Sequence, residues 1–103
     1  GTATTMTSVS LSGKVPTIAI AASILAYCKG DEVNNVDNGT CYIGYDGTNS
    51  IARLMARFNS TGGLRARDTQ TVIVPLKTAV TIYYKVDNSY LYSYLYVSGY
   101  TLP

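Results

Sequence analysis

The sequence predicts an all-β protein, an antiparallel β-sandwich of jelly-roll-like form with about eight strands. Three observations predict it. Apolar residues recur with a period of two in one segment after another, the spacing of a strand that buries one face. Runs rich in Gly, Asn, Asp and Ser separate these segments at intervals of about ten residues. The stretch 80–97 alternates almost without a break.

That stretch is the clearest. Tyr90, Tyr92, Tyr94 and Tyr96 alternate with Leu91, Ser93, Leu95 and Val97. Just upstream, Val80, Ile82, Tyr84 and Val86 form another alternating set. Asp87-Asn88-Ser89 between them is turn chemistry. If Asn88-Ser89 is a two-residue loop, Val86 faces Leu91 and Tyr83 faces Tyr94. A slip by one residue would mix the faces, so the pattern selects this register. The expected product is a hairpin with one aliphatic face and one tyrosine face. Strand propensity alone accounts for tyrosine on a half-buried sheet surface. The functional reading is that Tyr83, Tyr90, Tyr92, Tyr94 and Tyr96 meet a second subunit or a ligand, because tyrosine offers apolar area with a polar handle.

Taken in order, residues 1–5 are small and polar and read as a connector or frayed end, with a single domain over 6–103. Thr7, Val9 and Leu11 alternate with serines as a first strand, and Ser12-Gly13-Lys14 is a turn. Pro16 is unsuited to a central strand position, so the next strand is expected after it. Over 17–27, Ile18, Ile20, Ala22, Ile24, Ala26 and then Cys28 share a face. The alanines tempt a helix, but the isoleucine spacing and the missing cap favour a strand. Residues 29–40 form a polar loop with turn signals at Gly30-Asp31 and Asn38-Gly39. Cys41, Ile43 and Tyr45 make the return strand, and 46–49 is a turn. Segment 50–58 fits either a helix, through Leu54 and Phe58, or a strand; its length and its neighbours favour a strand. After the Gly-rich loop 59–63, Arg65 and Arg67 stand at strand spacing, and Val72, Val74 and Leu76 lead into the tyrosine stretch. Tyr100 and Leu102 close the chain.

A chain of 103 residues bounds the answer to one domain with one core. Charged residues are 14% of it, well below the roughly 25% of an ordinary soluble domain. Such a surface suits an extracellular or particle-bound protein, or an oligomer that buries much of itself. The net charge of +2 is too small to argue for nucleic acid as a partner. No apolar run is long and pure enough to predict membrane insertion. Starting at Gly1 without a basic leader, the chain is expected to be an excised piece of a longer one.

Candidate chemistry is sparse. With no His, nucleophile-and-base catalysis would need a Lys or carboxylate base. Asp31, Glu32, Asp37 and Asp46 all fall in turns, where Asp is expected for backbone reasons. The same loops lack the ligand spacing of a calcium hand. No catalytic residue, metal or cofactor is expected. Cys28 and Cys41 flank one loop. Core parity explains them as free thiols packing as small hydrophobes, the reading favoured here. A disulfide, contributing about 3 kcal/mol, is the alternative. Arg53, Arg57, Arg65 and Arg67 lie on either side of the loop 59–63. If those segments pair, four cations crowd one face, which invites an anionic ligand such as a sugar carboxylate or phosphate, an ion-paired subunit contact, or simply solvent.

The small-residue strand 17–27, the run Thr71-Val72-Ile73-Val74-Pro75-Leu76-Lys77 leading into a Thr/Ile strand, and the final strand 90–97 together resemble a known group. It is the C-terminal receptor-binding or trimerising domains of bacteriophage tail fibres and related collagen-like phage proteins. Where that group often has Lys-Gly after the Pro segment, this chain has Thr78-Ala79. The resemblance implies a β-sandwich knob that forms a homotrimer on a virion and binds a host cell-surface glycan or protein. No catalytic residues come with it. The rival expectations are a carbohydrate-binding module of a secreted protein and a structural capsid-decoration domain.

Overall fold

A computed structural model describes residues 1–30, 38–59, 64–66, 68–87 and 91–103. Its elements are β1 (Thr7–Ser10), β2 (Ala21–Gly30), β3 (Asn38–Gly44), β4 (Ser50–Asn59), β5 (Leu64–Ala66), β6 (Asp68–Pro75), β7 (Thr81–Val86) and β8 (Leu91–Thr101). One sheet has the order β1-β7-β3-β4-β5 and the other β6-β2-β8, all antiparallel. The expected sandwich of two antiparallel sheets stands. Its strands divide five and three between the sheets, which is not the order of a regular jelly roll. Segment 50–58 is strand, as its context favoured.

The alternating patterns set the core. Ala22, Ile24, Ala26 and Cys28 of β2, Val72 and Val74 of β6 and Leu91 of β8 face Cys41 and Ile43 of β3, Leu54 of β4 and Ile82 and Val86 of β7. Side chains of the two inner faces interdigitate, as sandwich packing requires. The seam is closed on one side by the short β5 and β6, adjacent in sequence but in different sheets. There the Asp68 carboxylate accepts the Met55 N–H (3.1 Å) and the Gln70 amide donates to Arg53 C=O (3.2 Å). On the other side the residues expected as a frayed end run between the sheets. Val86 N–H donates to Ala3 C=O (2.8 Å), and Gly1 exchanges both backbone bonds with Ser93.

The expected hairpin of 80–97 does not form. β7 pairs with β1 and β3, while β8 pairs with β2 in the opposite sheet. Val86 therefore pairs with Cys41, and Tyr83 with Gly44 and Ser8; neither meets Leu91 or Tyr94 as a ladder neighbour. The aliphatic faces do meet, but across the core. The turn Asn88-Ser89 lies outside the described residues.

The strand expected over 17–27 begins only at Ala21. Before it the chain turns tightly, with Val15 N–H donating to Leu11 C=O (3.0 Å) and Ala19 N–H to Pro16 C=O (3.0 Å). Leu11, Val15 and Ala19 cover this end of the core, so Ile18 and Ile20 are exposed instead of sharing the face of Ile24. Val80 is buried beside them with φ of 43°. A β-branched residue there is strained, at a cost on the order of 1–3 kcal/mol. Its burial and the Leu11 N–H bond to its carbonyl (2.7 Å) hold it in place.

Cys28 and Cys41 form a disulfide, not a pair of free thiols. Because β2 and β3 lie in different sheets, the bond spans the sandwich, with Cα atoms 6.0 Å apart. Core parity, which favoured free thiols, holds for both, and the two inward sulfurs meet across the core. The Cys28→Ala/Cys41→Ala double variant is expected to lose about 3 kcal/mol or more of unfolding free energy. Urea unfolding followed by circular dichroism measures it; a midpoint equal to that of the wild type would contradict the cross-link.

Candidate functional site

The strands leave two outer faces, and the expected site residues divide between them. On the three-stranded sheet, Tyr92, Tyr94 and Tyr96 of β8 stand opposite Lys29, Tyr27 and Leu25 of β2. Leu25 and Tyr27 in turn stand opposite Thr71 and Thr69 of β6. Tyr94 and Tyr96 are exposed, at 37% and 57%, as are Leu25 and Ile73. Tyr27 and Tyr94 rings lie 5.7 Å apart, tilted by 43°, and Tyr92 and Tyr94 stack at 6.4 Å. These separations are those of favourable aromatic pairs. The result is an apolar, hydroxyl-tipped patch. Tyr90 lies outside the described residues.

Tyr83 belongs to the other face, on the outside of the five-stranded sheet. There the register aligns Arg53, Tyr42 and Lys85 in one row across β4, β3 and β7. The Tyr42 ring holds both cations. Lys85 Nζ is 4.8 Å from its centroid and Arg53 Cζ is 5.7 Å from it. Each contact at such a half-exposed site contributes roughly 0.5–1 kcal/mol.

Of the four-arginine face, the described residues give the backbone register between β4 and β5. The backbone pairs Arg57 with Ala66 and Phe58 with Arg65, so the ladder never sets one arginine opposite another. Arg67 lies outside the described residues. Arg53 lies over the Tyr42 ring. Neither Tyr42 nor Lys85 stood out as a pair in the sequence. The signal was there in the alternation of Cys41-Tyr42-Ile43, which turns Tyr42 away from the core, but only the strand order brings Lys85 to its side.

The described carboxylates hold their own turns. Asp46 Oδ1 accepts Thr48 N–H (2.9 Å) and Asn49 N–H (2.7 Å), and Asn49 Nδ2 donates to Asp46 Oδ2 (2.9 Å). Asp87 Oδ2 accepts the Thr40 N–H (3.0 Å). Asp68 holds the edge of β4. Among the described residues no three His, Cys, Asp or Glu side chains gather as a metal site would require. No helix among them is long and apolar enough to cross a membrane.

Comparison with known proteins finds no family model that matches the chain and no curated protein similar to it.

The Asp46 turn gives a pH prediction. The Asn49 side chain, with the Thr48 and Asn49 amides, lowers its pKa from 3.8 to about 2. A depressed folded-state value means that the turn's contribution is present above the ordinary carboxylate range and is lost as pH falls through about 2. Carboxyl titration by NMR is expected to place the Asp46 midpoint at about 2; a midpoint near 3.8 would remove the turn network.

Proposed function

We propose that this chain is a non-catalytic tip domain of a bacteriophage tail fibre that assembles as a homotrimer and binds a host-surface receptor. The observation that carries the reading is the outer face of β8. Eleven residues of edge strand hold no charged side chain. Tyr94 and Tyr96 stand exposed along it beside Leu25, with Ile73 exposed on the same face of the sheet. An exposed patch of this kind marks a contact surface, and a threefold axis would let identical tyrosine faces meet in a closed assembly.

Two further features support it. The molecule measures 50 × 22 × 21 Å with a radius of gyration of 14.2 Å, longer than the roughly 13 Å of a compact chain of this size. A rod-like shape suits a unit of a fibre. The cross-core disulfide suits a protein that works outside a reducing cytoplasm, as a virion component does.

A carbohydrate-binding module would leave the same tyrosines free, and mass in solution separates the two. Light scattering on the wild-type chain is expected to give three times the monomer mass at tens of micromolar. Tyr96→Ser, at the most exposed of the β8 tyrosines, is expected to weaken assembly by about 2 kcal/mol or more per subunit. A clean monomer for the wild type would sink the trimer. A fully trimeric Tyr96→Ser with unchanged dissociation would move the interface off this face.

A further inference from the structure

We propose that the outer face of the five-stranded sheet binds an acidic polysaccharide, with a sugar carboxylate held between Arg53 and Lys85 beside the Tyr42 ring. The site is on the opposite side of the sandwich from the tyrosine patch. It stands whether or not the chain trimerises.

The argument starts from the row. Cross-strand register puts Arg53, Tyr42 and Lys85 side by side on adjacent strands, each about 4.8 Å from the next along the sheet. One aromatic ring thus holds two like charges, both within 6 Å of its centroid. The ring attracts each cation but does not neutralise either, and two cations on one face repel. An anion between them removes that repulsion.

The described acids do not supply it. Asp46 is tied into its own turn. Asp68 binds the Met55 amide and Gln70. Asp87, just past the end of β7, holds the Thr40 amide. Lys85 and Arg53 therefore have no carboxylate partner among the described residues. Arginine offers a planar fork that matches a carboxylate, and lysine adds a point charge from the other side.

The neighbours of the row fit a sugar. Thr40 flanks Tyr42 on β3, and Ser8 and Ser10 stand on β1 beside Tyr83 and Thr81 of β7. Hydroxyls spread over a flat ladder can meet the hydroxyls of an extended saccharide chain. The two cations of this row, with a whole-chain net charge of +2, do not make a nucleic-acid track, which neutralises a run of phosphates.

The test uses the full chain and isothermal titration calorimetry at low ionic strength, with four probes. Polygalacturonate carries a carboxylate on every sugar, heparin adds sulfate, dextran is neutral and duplex DNA is a polyanion of another class. Polygalacturonate is expected to bind, and dextran is not. Arg53→Gln and Lys85→Gln should each lower the affinity about tenfold or more, as loss of a charge-assisted hydrogen bond does. Tyr42→Phe, which keeps the ring, should bind like the wild type, and Tyr42→Leu should bind more weakly with the melting temperature followed in parallel. Tyr96→Ser should leave binding unchanged, so that failure of this site and failure of the trimer read out separately. No binding of polygalacturonate, or undiminished binding by the folded Arg53→Gln/Lys85→Gln double variant, would overturn the site. Binding of heparin alone would overturn the carboxylate assignment, and DNA bound as tightly as polygalacturonate would overturn the saccharide.

Discussion

The contact between the inner faces of the two sheets, pinned by Cys28–Cys41, is what the rest of the structure depends on. Ile24, Ile43, Leu54, Ile82 and Leu91 are fully buried around that bond. A domain this small buries only a modest share of its surface, so its core is thin and a cross-link through it matters more than in a large protein. The bond ties β2, the central strand of one sheet, to β3, the central strand of the other. Every other strand is placed by pairing, directly or through a neighbour, with one of these two. Because the core is satisfied by inward residues alone, both outer faces are free to carry different chemistry.

The fold was readable from the sequence to the level of faces, not of neighbours. Period-two alternation fixes which side of a strand is buried, and it did so for Ile82 and Val86, for Leu91 and Ser93, and for Cys41 and Ile43. It does not say whether two aliphatic faces meet edge to edge within a sheet or face to face between sheets. Val86 and Leu91 satisfy both geometries on paper. The structure takes the second, because β3 and β1 flank β7 and leave no side for β8. Ile18 and Ile20 show a different limit. Their alternation continues that of Ile24, but local hydrogen bonds from Leu11 to Ala19 wind the chain into turns, and those turns decide the outcome. Core parity likewise places Cys28 and Cys41 inward but does not say that they meet, and the bond between them belongs to the packing of the two sheets.

The candidate sites divide along the same line. Tyr92, Tyr94 and Tyr96 could be grouped from one strand, and the structure keeps them on one face. Arg53, Tyr42 and Lys85 come from three strands whose order is not written in any local pattern. A residue far away in sequence completes the row, so composition and spacing could offer only a loose count of arginines. Around the loop 59–63, where sequence proximity first suggested a grouping, the register sets Phe58 and not Arg57 opposite Arg65.

The treatment of sheet edges points the same way as the tyrosines. Unpaired edges invite other strands, and folds commonly blunt them with short length, charge, proline or a covering segment. β1 has four residues and β5 three. β6 starts at Asp68, ends at Pro75 and leans on β4, whose own free amide at Met55 is taken by the Asp68 side chain. β8 has none of these protections over most of its length. It is eleven residues long, uncharged and without proline. Among the described residues, Gly1 covers its edge at Ser93. Among the described residues, three edges are guarded and one is open over most of its length. The open one is also the strand whose outer face carries the exposed tyrosines, so backbone and side chains of β8 are available to the same neighbour at once.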